Sequence, residues 1–86
     1  MTQTQEATQM AKRVDCYVLR TLQGRCAFAV RGDNGEGVYI PRTVYDALAP
    51  QVSDCIEAVI VPNSHARAKN TPWQMVRGYI IEEEDE

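Results

Sequence analysis

Arg25-Cys26-Ala27-Phe28-Ala29-Val30 and Gly37-Val38-Tyr39-Ile40-Pro41, joined through Gly32-Asp33-Asn34-Gly35-Glu36, form the stretch on which the fold turns. Each flank is short, rich in β-favouring side chains, and carries one central aromatic, as a strand would. Asn34-Gly35 supplies the positive φ angles of a tight turn, so the two strands are expected to lie antiparallel and to bring Phe28 close to Tyr39. Two aromatics paired in this way either offer a platform on which unpaired bases stack or fill a hydrophobic core.

Working outward, strand signals recur at Val14-Asp15-Cys16-Tyr17-Val18-Leu19-Arg20, at Cys55-Ile56-Glu57-Ala58-Val59-Ile60-Val61 and at Met75-Val76-Arg77-Gly78-Tyr79-Ile80. Between the third and fourth strands one short helix fits, with Thr43 as its cap, Asp46 completing a capping box, and Val44, Ala47 and Leu48 as an apolar edge able to plug a barrel end. Pro50 stops it. The expected fold is all-β: a small five-stranded OB-fold-like barrel with a short helix between strands 3 and 4. Residues 1–13, polar and without hydrophobic periodicity, read as a flexible leader, 14–81 as the barrel, and 82–86 as an acidic disordered tail.

Composition narrows the function. Eighty-six residues make one domain with a modest core and no deep catalytic cleft. The apolar run Ala58-Val59-Ile60-Val61 falls far short of the ~20 residues of a membrane span, and the polar start is unlike a secretion signal, so a cytoplasmic protein without membrane contact is expected. Cys16, Cys26 and Cys55 stand singly in apolar runs, far from any C-x-x-C spacing, and with His65 the lone histidine they predict no metal site. No serine or cysteine has a nucleophile's context and no Gly-rich loop opens a helix, so neither an enzyme nor a cofactor is expected.

The formal charge of −3 divides unevenly along the chain. Residues 82–86 are all acidic, whereas 1–81 hold nine Lys+Arg against seven Asp+Glu and are mildly basic. The acidic run reads as a solubilising tail, or as a polyanion mimic that competes for the basic face.

Alternation sets the faces. If Val38 and Ile40 fill the barrel, Tyr39 faces solvent. In the second strand Cys26, Phe28 and Val30 share one face and Ala27 and Ala29 the other, so hydrophobicity alone would turn Phe28 inward. The connection from Pro62 to Trp73 holds Arg67, Lys69, His65 and the single tryptophan with no acidic residue. Such a loop flanks the ligand face in barrels of this kind, where Arg67 and Lys69 would neutralise phosphates and Trp73 would offer a ring. The alternative is that Trp73 begins the last strand and caps the core while the two cations are merely solvated.

Residues 14–81 resemble the cold-shock domain family. Arg25-Cys26-Ala27-Phe28-Ala29 and Val38-Tyr39-Ile40-Pro41 look like weakened forms of that family's two aromatic binding motifs, with Cys26 in place of the first aromatic and Pro41 in place of a histidine. The resemblance implies that Phe28 faces outward and that Tyr17, Phe28 and Tyr39 form a stacking surface; bases of single-stranded RNA or DNA are then expected to lie on these rings while Arg20, Arg25, Arg67 and Lys69 meet the backbone. The competing expectation is a protein-interaction module whose exposed edges, with Val59 and Val61, pair with another chain or with a second copy to form a homodimer.

Overall fold

The structure, a computed structural model, describes residues 11–64 and 70–82. Five strands, β1 (Lys12–Leu22), β2 (Cys26–Arg31), β3 (Gly37–Ile40), β4 (Cys55–Pro62) and β5 (Trp73–Ile81), and one helix, α1 (Arg42–Leu48), follow one another in the expected order. The sheet closes as β1-β2-β3-β5-β4 and back to β1, the closed OB-fold-like barrel that the sequence predicts. Every neighbouring pair is antiparallel except β3 and β5, which meet through only Val38 with Trp73 and Tyr39 with Gln74. β1 serves two partners: its first half pairs with β4 from Lys12 to Tyr17, and its second half with β2 from Cys16 to Leu22.

Alternation builds the core. Cys16, Val18, Ala27, Ala29, Val38, Ile40, Ile56, Ala58, Ile60 and Met75 point inward from the five strands and are buried together. The helix plugs one end with Val44, Tyr45 and Leu48, so Tyr45 takes the place expected of Ala47, which is exposed. Thr43 does not cap this helix. The cap position is Pro41, with no side-chain cap bond, and Pro41 O accepts the Tyr45 amide instead. A proline with its extended backbone ends β3 and begins the helix in one step, two residues earlier than the capping pattern suggests. Among the described residues no helix is long and apolar enough to cross a membrane.

The β2–β3 turn also differs from the expected pair of positive φ angles. Gly35 alone takes one, at 78°, while Asn34 turns its side-chain oxygen to the Glu36 amide at 2.9 Å. That Asx contact, with the Gly35 amide bonded to Arg31 O at 2.9 Å, makes a five-residue loop and leaves Asn34 no need of a strained angle.

Two β-bulges shape the wall. In β1 the register passes from Val18 opposite Ala29 directly to Arg20 opposite Phe28, leaving Leu19 unpaired. In β5 Val76 is likewise skipped between Met75 opposite Ile60 and Arg77 opposite Val59. Both extra residues are exposed.

Candidate nucleic-acid interface

Phe28 lies on the outer surface because its two neighbours, Ala27 and Ala29, are 0% and 1% exposed inside the barrel. Tyr39 lies outside because Val38 and Ile40 are inside. The β2–β3 register sets the two rings directly opposite each other, with centroids 5.8 Å apart and planes tilted by 46°. Each is half-buried, with part of its surface open to solvent. An adjacent tilted pair of this kind is both a stable cross-strand contact and a surface on which a third ring can lie.

The β1 bulge completes the row. Strict alternation from Val18 would turn Arg20 inward; the unpaired Leu19 resets the phase and turns Arg20 out, opposite Phe28. Its guanidinium carbon stands 5.8 Å from the Phe28 ring centroid. Arg20, Phe28 and Tyr39 thus run across three strands as a cation followed by two aromatics.

Tyr17 is not in that row. It pairs with Val30, two residues along the strand from Phe28, or roughly 7 Å by strand rise. It is 44% exposed, and its ring covers Gly32, where a Cβ would come within 2.8 Å of Cε2. Around it stand Asp15, Asp33 and Glu57 as well as Arg13, so its surroundings are more acidic than those of Phe28. Arg25 is exposed in the turn just before β2, with its amide bonded to Leu22 O at 2.8 Å. It belongs to the rim of the face rather than to the strand.

Trp73 opens β5 and packs against the core, as the alternative reading of the sequence has it. Its Nε1–H donates to Glu36 Oε1 at 2.7 Å, and the Arg31 guanidinium lies over the ring at 4.9 Å. Gln74, not Trp73, is opposite Tyr39, so the indole stands apart from the Phe28–Tyr39 row. Arg31 is 8% exposed and is bonded by two nitrogens to Asp33, at 2.9 and 2.7 Å. The bonds from Arg31 hold Asp33 below the usual carboxylate range, and the bond to Asp33 in turn raises Arg31. Arg31-Gly32-Asp33 is therefore an internally bonded corner of the barrel, and its cation is already matched.

Arg67 and Lys69 lie outside the described residues. The residues flanking their loop are tied together by hydrogen bonds. The Asn63 amide donates to Pro72 O at 2.8 Å and its side chain to Thr71 O at 3.0 Å, while the Asn70 backbone lies directly against Gly37. Only glycine permits that approach, because a Cβ at residue 37 would overlap the Asn70 carbonyl oxygen.

No protein-family model, curated protein or solved structure matches this chain. The likeness to cold-shock domains thus rests on the two hairpin motifs alone.

That chemistry contains no metal centre among the described residues, where no three His, Cys, Asp or Glu side chains gather to hold an ion. Cys16, Cys26 and Cys55 form no disulfide, and burial pushes the Cys16 thiol up to about 11. Sequence reasoning missed Leu19, Gly37 and Asn70 as shapers of the face. Gly37 carried a usable signal, a glycine beginning a strand where another backbone comes close. The bulge at Leu19 left none.

Proposed function

We propose that this protein binds single-stranded nucleic acid across the outer face of β1, β2 and β3. The observation that carries the reading is the row Arg20, Phe28, Tyr39: a guanidinium and two partly open rings side by side on the solvent face of a closed barrel. Unpaired bases stack on Phe28 and Tyr39, with Tyr17 as a flanking ring, and Arg20 and Arg25 meet phosphates. Each stacked base contributes on the order of 1–3 kcal/mol. Arg67 and Lys69, expected from the sequence to neutralise phosphates, lie outside the described residues. Trp73 acts indirectly, by holding the hairpin tip to β5. Stacking is indifferent to base identity, which makes the protein a general single-strand binder of the RNA-chaperone or strand-protecting type, acting without cofactor or covalent chemistry.

The test is fluorescence anisotropy of labelled single- and double-stranded oligonucleotides over a range of salt. Two to four phosphate contacts give a log–log salt slope of roughly −1.4 to −2.8. Tyr39→Ala weakens single-strand binding by about 5- to 150-fold with the barrel intact. A folded protein that shows no saturable binding, or binds duplex as tightly as single strand, ends this reading.

One observation favours a second reading, a protein-docking module. The outer face of β4 and β5 exposes Tyr79, at 60%, and β5 also exposes the bulged Val76; Tyr79 is oriented by its bond to Glu57 at 2.7 Å. Capture of a protein partner that is lost in Tyr79→Ser, with no nucleic-acid binding by the parent, decides for it.

A further inference from the structure

Residues paired directly across antiparallel strands point to the same side of the sheet, which sorts the outer face of β1, β4 and β5 into rows. Arg13, Val59 and Arg77 face one another across the three strands, and two residues away along each strand Asp15, Glu57 and Tyr79 do the same. Ile56, Ala58 and Ile60 are buried, so Glu57 and Val59, and the rows that pass through them, are on the outside. We infer that this face pairs with the same face of a second copy, about a two-fold axis that runs between the two rows and parallel to them. The pairing goes beyond the single-strand reading, because β2 and β3 contribute nothing to the face, and it names the partner of the exposed Tyr79.

Rotation about that axis exchanges the rows. The cationic row of one copy then lies over the acidic row of the other, with Arg13 on Asp15 and Arg77 on the Tyr79 ring, and each contact occurs twice. The groups are available for this. Among the described residues Arg77 and Asp15 form no ion pair, and the one bridge between the rows is the loose contact of Arg13 with Glu57 at 3.8 Å. Tyr79 is 60% exposed while its hydroxyl donates to Glu57 Oε1 at 2.7 Å, so the ring is held in place with most of its surface open to a guanidinium. A groove of about 270 Å³ lies among these side chains, with Gly78 on its wall, and gives the long side chains of a second copy room to interdigitate.

The order of the charges favours a copy over a polyanion. The rows stand about 7 Å apart by strand rise, within the screening length of ~8 Å at physiological salt. A phosphate chain laid along Arg13 and Arg77 has Asp15 and Glu57 beside it, so attraction at one row is offset at the next. A second copy presents the opposite sign at both. Two rows on three strands make a small patch, below the ~800 Å² per partner of a standard interface, so the dimer is weak and forms at roughly tens to hundreds of micromolar.

Sedimentation equilibrium of the full chain, from about 10 µM to about 1 mM at low and high salt, tests the pairing. The parent's mean mass rises with concentration toward twice that of the monomer, and less steeply at high salt. Arg13→Asp sets like charges opposite each other and weakens the dimer about 10-fold or more. Adding Asp15→Arg to the same chain reverses both ends of the contact and restores the dimer, a rescue that only a self-facing pair gives. Both positions are exposed, and far-UV circular dichroism checks that each variant keeps the barrel. A parent that stays monomeric at the highest concentration, a dimer indifferent to Arg13→Asp, or a double variant no better than the single one overturns the two-fold face. So does a monomeric parent whose affinity for an oligonucleotide falls in Arg77→Ala, which would give the face to a polyanion.

Discussion

The Arg31 guanidinium lies over the Trp73 ring, 4.9 Å from its centroid, and so joins the end of β2 to the start of β5 through a cation on an indole. Asp33 and Glu36 close the arrangement: Asp33 takes two nitrogens of Arg31, and Glu36 accepts the indole N–H. Trp73→Ala removes the ring, the stacked cation's partner and the bond to Glu36 together. Because Trp73 is half-buried, the expected loss is about 2–3 kcal/mol, or roughly 10–20 °C in Tm for a domain of this size. Thermal unfolding followed by far-UV circular dichroism measures it, and an unchanged Tm would show that the corner does not hold the barrel.

Asp33 gives the corner a pH signature. Its folded pKa is lowered, first by its bonds from Arg31, from an ordinary 3.8. A lowered carboxylate stabilises the fold fully above the unfolded pKa and ceases to do so as pH falls through the folded one. The stability advantage of the parent over Asp33→Asn is therefore constant at neutral pH and shrinks below about pH 4. Denaturant midpoints of the two proteins between pH 7 and 2.5 test this, and a gap that widens on acidification would contradict it.

The second strand inverts the usual ranking of core residues. Ala29 is inside and Phe28 outside, so Ala29→Leu overfills a packed interior and costs about 1–3 kcal/mol. Phe28→Ala loses mainly the contact with Tyr39, about 1 kcal/mol. Paired denaturant curves give the order, and a larger loss for Phe28→Ala would mean that the strand is turned over, with the platform inside.

Cys16 is fully buried at the point where β1 passes from β4 to β2, and desolvation raises its thiol to about 11. At pH 8 it is protonated as well as shielded. Iodoacetamide on the native protein therefore alkylates the partly exposed Cys55 first, and Cys16 only once denaturant opens the barrel. Peptide mapping after timed quenching reads the order; equal rates at the two positions would place Cys16 at the surface.

The strand order and the helical plug were legible because β-branched runs and the breaks at Gly35, Pro41 and Pro50 are local signals. Tyr39 could be oriented because Val38 and Ile40 flank it with unambiguous apolar bulk. Phe28 could not. Its alanine neighbours face inward only because Ile40, Ile56, Ile60 and Met75, from other strands, already occupy the interior, and a single strand carries no record of that crowding. Arg20 is expected among the cations of the face, yet what turns it there is the unpaired Leu19, a register event that composition does not mark. Arg31 reads as an ordinary surface cation in sequence; its burial depends on Trp73, which arrives from the far end of the chain. The expected cap Thr43 gives way to Pro41, whose carbonyl accepts the Tyr45 amide, and the expected left-handed Asn34 is relieved by its own side-chain oxygen, which accepts from the Glu36 amide.

The parallel seam of two residue pairs between β3 and β5 makes the barrel a clasp rather than a cylinder. Every other junction is longer, so this seam is the one expected to part first as the barrel breathes. Amide hydrogens of Tyr39 and Gln74 should exchange faster than those at the centre of β4. On the proposed binding face, an oligonucleotide stacked on Tyr39 would lie beside that seam and slow the exchange by holding it shut.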